Sequence, residues 1–107
     1  MDKILTGVAA SSGKAQGKVK IVKGIEDSLS FKEGYVLVTK ITDPTMVVMM
    51  GRAVAIVCDV GGITSHPAIV SREMGIPCVV ATKEATTKLA DEMLILVDGD
   101  KGEVYLL

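Results

Sequence analysis

Two apolar runs, Ala53 to Cys58 and Ile76 to Ala81, are separated by a polar crossover and a proline-started helix, and this unit constrains the fold more than any other part of the chain. Both runs are short and uninterrupted, as buried strands are. Asp59 to His66 forms the glycine-bearing crossover. Pro67 suits the first helical turn, where its missing N–H costs no intrahelical bond, and the residue before a proline is biased away from helical geometry. His66 is therefore predicted as a cap or last loop residue at the helix entrance. Ser71, Arg72 and Glu73 give the helix a polar side, and Gly75 supplies a left-handed stop. Strand, helix and strand in this order require a sheet with the helix packed on it.

The flanking segments extend the same class. Ala15, Gly17, Val19 and Ile21 alternate with Gln16, Lys18 and Lys20, the pattern of a half-solvated strand within Lys14 to Lys23. Ile4 to Ala9, Tyr35 to Thr39, Met93 to Val97 and Glu103 to Leu107 are predicted as further extended segments, with turns at Lys32-Glu33-Gly34 and across Asp98 to Gly102. Glu26 to Ser30 reads as a polar loop. Asp43-Pro44 signals a helix from Pro44 to about Met50, ending near Gly51, and Lys83 to Ala90 holds enough helix formers for a short helix. The chain is predicted as one mixed α/β domain over residues 1–107, too short for a second core.

With one Phe, two Tyr and no Trp, the core must be built from Val, Ile, Leu, Met and Ala, and stacking on bases or sugars is not expected. A formal charge of -1 gives no electrostatic bias toward nucleic acid. No apolar window reaches the length of a transmembrane helix and no leader pattern opens the chain, so a soluble cytoplasmic protein is expected. Cys58 and Cys78 lack metal-site or thioredoxin-like spacing and read as buried free thiols.

His66 is the single histidine. The backbone N–H groups of Ala68, Ile69 and Val70 are expected to lie unpaired in the first helical turn, where they and the helix dipole suit an anion. An imidazole nitrogen can attack phosphorus and form a labile covalent intermediate, so a phosphoryl group is the anion that best matches this setting. Thr64 and Ser65 are candidates for orienting the ring or binding oxygen, and Arg72 joins them if the helix rotation allows. A local cap remains the alternative for His66, and a tight structural crossover for Gly61 and Gly62. One histidine cannot build a multi-His metal centre, and the cysteines offer no complement, so no metal site is expected. The run Gly7 to Lys14 has one residue too many for a phosphate loop, with Ala15 where Ser or Thr would bind magnesium. Ser65 and Ser71 would serve a hydrolase only if a triad geometry assembled around them.

The run Gly61-Gly62-Ile63-Thr64-Ser65-His66-Pro67-Ala68-Ile69-Val70-Ser71-Arg72-Glu73-Met74-Gly75-Ile76-Pro77-Cys78-Val79-Val80 resembles the signature of the phosphohistidine, or mobile, domain of phosphoenolpyruvate-utilising enzymes. The resemblance extends to Gly7 through Val19, to Thr42-Asp43-Pro44, to Val97-Asp98-Gly99 and to Gly102-Glu103-Val104, and so covers nearly the whole chain. It implies a swivelling β/β/α phosphohistidine domain. It also implies that His66 accepts and donates a phosphoryl group through Nε2. Thr64 corresponds to a threonine that contacts the ring and is a regulatory phosphorylation target in some pyruvate phosphate dikinases. Ser65 matches the signature serine, Arg72 the basic residue of the following helix, and Gly61 and Gly62 the loop glycines.

No cofactor is implied for the domain alone; ATP, phosphoenolpyruvate and Mg2+ belong to partner domains. The implied partners are a nucleotide-binding or other phosphodonor protein and a phosphoenolpyruvate- or pyruvate-binding acceptor, with no nucleic acid and no membrane. Without an ATP-binding module or a barrel, the chain by itself is not expected to complete a dikinase or synthase reaction. Three positions depart from the pattern: Pro67 stands where alanine is common, Glu92 where glycine is, and Ser12 where proline is. Two other functions compete with the carrier. One is a noncatalytic regulatory or assembly module, for which Met46, Met49 and Met50 would offer a docking surface unless they fill the core. The other is the small swivelling subunit of a dehydratase or isomerase.

Overall fold

Short runs rich in Val, Ile and Leu form eight strands, and glycine- and proline-marked joints place three short α-helices around them. The computed structural model describes residues 1–107. In chain order the elements are β1 (Asp2–Thr6), β2 (Val8–Ser11), β3 (Lys14–Ile21), β4 (Val36–Thr39), α1 (Val47–Arg52), β5 (Ala55–Cys58), α2 (His66–Met74), β6 (Cys78–Val80), α3 (Ala85–Lys88), β7 (Leu94–Asp98) and β8 (Glu103–Leu106). Two 3-10 segments, Ile25–Ser30 and Pro44–Met46, complete the set, and the second runs directly into α1.

β3 is long enough to serve two sheets. Its first half, Lys14 to Lys18, pairs antiparallel with β7, while Val19 to Ile21 pairs parallel with β4. β5 and β6 continue the parallel set and β2 closes it antiparallel. On the other side β7, β8 and β1 form an antiparallel ribbon. Side chains alternate between faces along a strand, so the parallel sheet feeds two cores at once. Val36, Val38, Ala55, Val57 and Val79 point into the layer shared with Ile95, Val97 and Val104 of the antiparallel ribbon. Leu37, Ile56, Cys58, Cys78 and Val80 point the other way, onto Met46, Met49, Met50 and Ala68. Sheet, sheet and helices thus stack as three layers, the β/β/α architecture. The three methionines are almost wholly buried, so they fill the helical core and form no docking surface.

Several local expectations change in the structure. Ile4 to Ala9 is not one extended segment: the chain breaks at Gly7, and β1 and β2 leave for opposite edges of the strand array. A side chain at Gly7 would put its Cβ 2.2 Å from the Val80 carbonyl oxygen. Glu26 to Ser30 is not a simple loop. The Asp27 carboxylate accepts the Lys23 N–H at 2.7 Å and winds the segment into a 3-10 turn. At Asp43-Pro44 the cap forms as read, with the Asp43 carboxylate accepting the Thr45 N–H at 2.8 Å, but the first turn is 3-10 and the helix ends at Arg52. The predicted helix from Lys83 to Ala90 shrinks to one turn, because Lys83 sits at φ 70, outside helical geometry.

Both cysteines are free and buried, on adjacent strands. Burial pushes the Cys58 thiol well up and the Cys78 thiol up to about 11. Thiolate is the reacting species, so neither cysteine should react with a thiol reagent in the native protein at mildly alkaline pH, and both should react after denaturation. Unfolding returns the Cys78 thiol toward 9.0, so above that pH the unfolded state holds fewer protons and stability should fall as pH rises toward 11. Denaturant titrations across that interval check the sign; a midpoint that rises with pH there would contradict it.

Candidate functional site

The carboxyl ends of the parallel strands gather the loops that hold His66. β5 ends at Cys58, and the chain then makes the tight turn Gly61 to Ser65 before entering α2. Gly61 adopts φ 128, and a Cβ there would lie 2.9 Å from Ser65 Oγ, so this glycine is required both for its backbone and for its contact. Gly62 has open space around it, and its role is its carbonyl, which accepts both the Ser65 N–H at 3.1 Å and the Ser65 hydroxyl at 2.6 Å. Ser65 is the N-cap residue by backbone geometry, with its side chain turned back into the loop.

His66 consequently begins the helix one residue earlier than the proline rule suggested, and Pro67 is second. That shift corrects the expected anion donors. The Ser65 carbonyl accepts the Ile69 N–H at 3.0 Å, and Val70 falls within the regular ladder, so neither N–H is free. The unpaired donors are those of His66 and Ala68.

The imidazole is half-buried, and its Nδ1 lies 2.8 Å from the hydroxyl of Thr42. Thr42 is buried just beyond β4, so a rigid part of the fold fixes the ring. When Nδ1 carries the proton and donates to Thr42 Oγ1, the lone pair resides on Nε2, for which the structure holds no protein partner. Beside Thr42, hydrogen bonds from the Thr45 side chain and backbone hold the Asp43 carboxyl below its ordinary range, with the nearby His66 ring acting in the same direction. An ionised carboxylate therefore stands close to the ring.

The residues singled out in the sequence divide into two groups. Ser65 and Gly61 shape the turn. Thr64 is exposed and makes no hydrogen bond to the ring; the ring contact expected of it is made by Thr42. Arg72 faces away from Nδ1 in bonding terms: its guanidinium donates to the Ala10 carbonyl at 2.9 Å and the Ile63 carbonyl at 2.6 Å, clamping the turn to β2. Thr42 was legible only as part of Thr42-Asp43-Pro44. The usable signal was a threonine at the carboxyl end of a buried strand, beside the strand whose crossover bears the histidine.

Residues 31–102 match the family model described as PEP-utilising enzyme, mobile domain. Over 102 residues, 95% of the chain, it is 55% identical to phosphoenolpyruvate synthase of Pyrococcus furiosus and 53% identical to the probable phosphoenolpyruvate synthase of Archaeoglobus fulgidus. It spans 12% and 14% of those relatives' lengths. Among solved structures, it is similar to an Enzyme I protein determined by NMR, with a TM-score of 0.61 and 32% identity over 70% of this chain and 31% of that one. Aconitase X of Thermococcus kodakaraensis gives a TM-score of 0.71 over 96% of this chain and 97% of that one, but at 21% identity it shares the fold alone. The layered architecture, the match over most of the chain and the identity to synthases place this protein in the mobile-domain family of PEP-utilising enzymes.

Proposed function

We propose that the chain is a phosphoryl carrier in a phosphoenolpyruvate- or pyruvate-related phosphotransfer system, with Nε2 of His66 as the carrying atom. The observation that supports this reading most is the Thr42 bond to Nδ1, which leaves Nε2 as the ring's unpartnered nitrogen at a helix entrance. In the forward step the Nε2 lone pair attacks the donor's phosphorus, the bond from phosphorus to the leaving oxygen breaks, and that oxygen keeps the electron pair. The ring gains positive charge, which Thr42 Oγ1 accommodates by accepting from Nδ1–H and which the Asp43 carboxylate favours by proximity. In the return step an acceptor oxygen attacks, the phosphorus–nitrogen bond breaks, and its electron pair returns to Nε2.

The donor on this reading is a nucleotide-binding or other phosphodonor protein. The acceptor is a protein that binds pyruvate or phosphoenolpyruvate. ATP, phosphoenolpyruvate and Mg2+ lie on those partners. Among the sequence candidates, His66 carries the group, and Ser65, Gly61 and Arg72 hold the loop; Thr42, which the sequence did not single out, positions the ring. Thr64, exposed two residues before His66, is the accessible hydroxyl for regulation.

Thr42→Val keeps the shape of the side chain and removes the hydroxyl. The rate of His66 phosphorylation should fall about tenfold, because an unheld ring spends less time aimed at the donor. Thr42→Ser should restore most of it, and the pH profile of the rate should shift in Thr42→Val as the Nδ1 proton loses its acceptor. An unchanged rate and pH profile in Thr42→Val would contradict the positioning role.

A further inference from the structure

Three large apolar side chains are left in the open within three residues of His66 or beside the Thr42 that holds its ring. Ile63 is 59% exposed, Ile41 43% and Ile69 41%. Each is tied to the ring by the backbone. Ile41 precedes Thr42, whose hydroxyl holds Nδ1; Ile69 lies one helical turn after His66, on a neighbouring position of the same face; Ile63 lies three residues before it. The turn bearing Ile63 is held rigidly by the Ser65 bonds to Gly62 and by the Arg72 bond to the Ile63 carbonyl. A turn of this kind is ordinarily polar, and fixing an isoleucine on it sacrifices the freedom that would let the side chain fold away from water. Lys40 adjoins this face: its carbonyl accepts the N–H of Val60, another exposed apolar residue, and its ammonium forms no ion pair, unlike that of Lys3, Lys14, Lys18, Lys20 or Lys88. Asp43 is the anionic group on the same face, engaged by Thr45.

We propose that Ile41, Ile63 and Ile69 form an apolar rim that a phosphodonor protein covers during transfer, with Lys40 facing the anionic ligand at that donor's site. The proposal rests on the phosphocarrier reading and names the partner's chemistry: a protein surface with an apolar collar around a bound phosphoryl compound. A protein donor that brings phosphorus within bonding reach of Nε2 also meets the side chains one turn away, and rigid apolar anchors around a reactive centre exclude water from the transfer.

The test uses the 107-residue chain as substrate for Pyrococcus furiosus phosphoenolpyruvate synthase whose own carrier histidine is replaced by alanine, with labelled ATP as the phosphoryl source. Labelling of His66 is followed against synthase concentration. Ile63→Ser with Ile69→Ser should raise the half-saturating concentration about tenfold or more while the plateau rate and final labelling stay unchanged. Lys40→Ser should raise it less and weaken its salt dependence. Val8→Ser with Leu94→Ser, which removes exposed apolar groups from the edge strand β2 and from β7, should change nothing. Phosphoramidate, a small donor with no surface to dock, should label all variants equally. Equal half-saturating concentrations for the rim variants and the parent chain would overturn the rim while leaving the carrier intact. Failure of the parent chain to be labelled at His66 by either donor would instead overturn the carrier reading and the rim with it.

Discussion

His66→Ala is expected to reduce phosphoryl incorporation to background while leaving the domain folded. No other side chain supplies an imidazole nitrogen, since the sequence has one histidine, so loss of the ring removes the nucleophile outright. The structural cost is modest because the ring is half-buried at the surface end of α2 and alanine suits a helical position. It is larger than for a fully exposed ring, however. The variant strips the buried Thr42 hydroxyl of its partner, a loss of about 1 kcal/mol. Thermal unfolding and intact mass measured on the same samples separate the two effects. Incorporation equal to that of the parent chain would place the phosphate elsewhere and refute the assignment.

Gly99→Ala should have the largest effect on the fold. Gly99 lies in the turn between β7 and β8, and a Cβ at this position would sit 2.0 Å from the Ser11 carbonyl oxygen, with the Gly13 oxygen and the Cys78 nitrogen close behind at 3.1 and 3.2 Å. All three neighbours are backbone atoms, so no side chain can rotate away. The turn must separate from the β2–β3 connection, to which the Gly99 N–H is bonded through the Gly13 carbonyl at 2.7 Å. A loss of about 3 kcal/mol or more is expected, with a fall in the unfolding midpoint on the order of 15 °C. Gly62→Ala is the control: open space surrounds Gly62, so its stability should stay within about 0.5 kcal/mol of the parent. Similar midpoints for the two variants would show that the turn does not press on that connection as described.

The contrast between these glycines shows what the sequence could reveal. Glycine pairs announce turns, but whether a glycine is required depends on which distant backbone comes against it, and Ser11 is far from Gly99 in sequence. The same limit explains Gly7, where an apparently continuous extended segment splits between two sheets and the Val80 carbonyl comes too close for any side chain at the joint. Local patterns were more reliable. The Asp43 cap, the left-handed Gly75 and the apolar runs of β5 and β6 all follow from short-range chemistry and are present. Alternation within β3 was readable, but its division between two partner sheets was not, because pairing is set by strands distant in the chain.

At the site, the histidine and its glycine turn were legible, whereas the contact that orients the ring was not. Thr64 was the expected neighbour because it is close in sequence. Thr42 reaches the ring because β4 and β5 are parallel neighbours, so their carboxyl ends meet at one edge. The helix register depended on one residue: with Ser65 rather than His66 as N-cap, the Ile69 N–H passes into the ladder, whereas the Val70 N–H lies in the ladder in either register. Glu92, one of the departures from the resembled pattern, adopts φ 75, a left-handed conformation that favours glycine.

The central claim is that Nε2 of His66 carries the phosphoryl group while Thr42 holds Nδ1. Nitrogen-15 and phosphorus-31 NMR of the phosphorylated chain at neutral or alkaline pH tests it most directly, since phosphorus bonded to nitrogen couples to that atom and the two ring nitrogens are resolved. The account predicts a single acid-labile adduct coupled to Nε2, with Nδ1 free of phosphorus and still in hydrogen-bond contact with the Thr42 hydroxyl. Coupling to Nδ1, or an acid-stable phosphate on a hydroxyl, would contradict it.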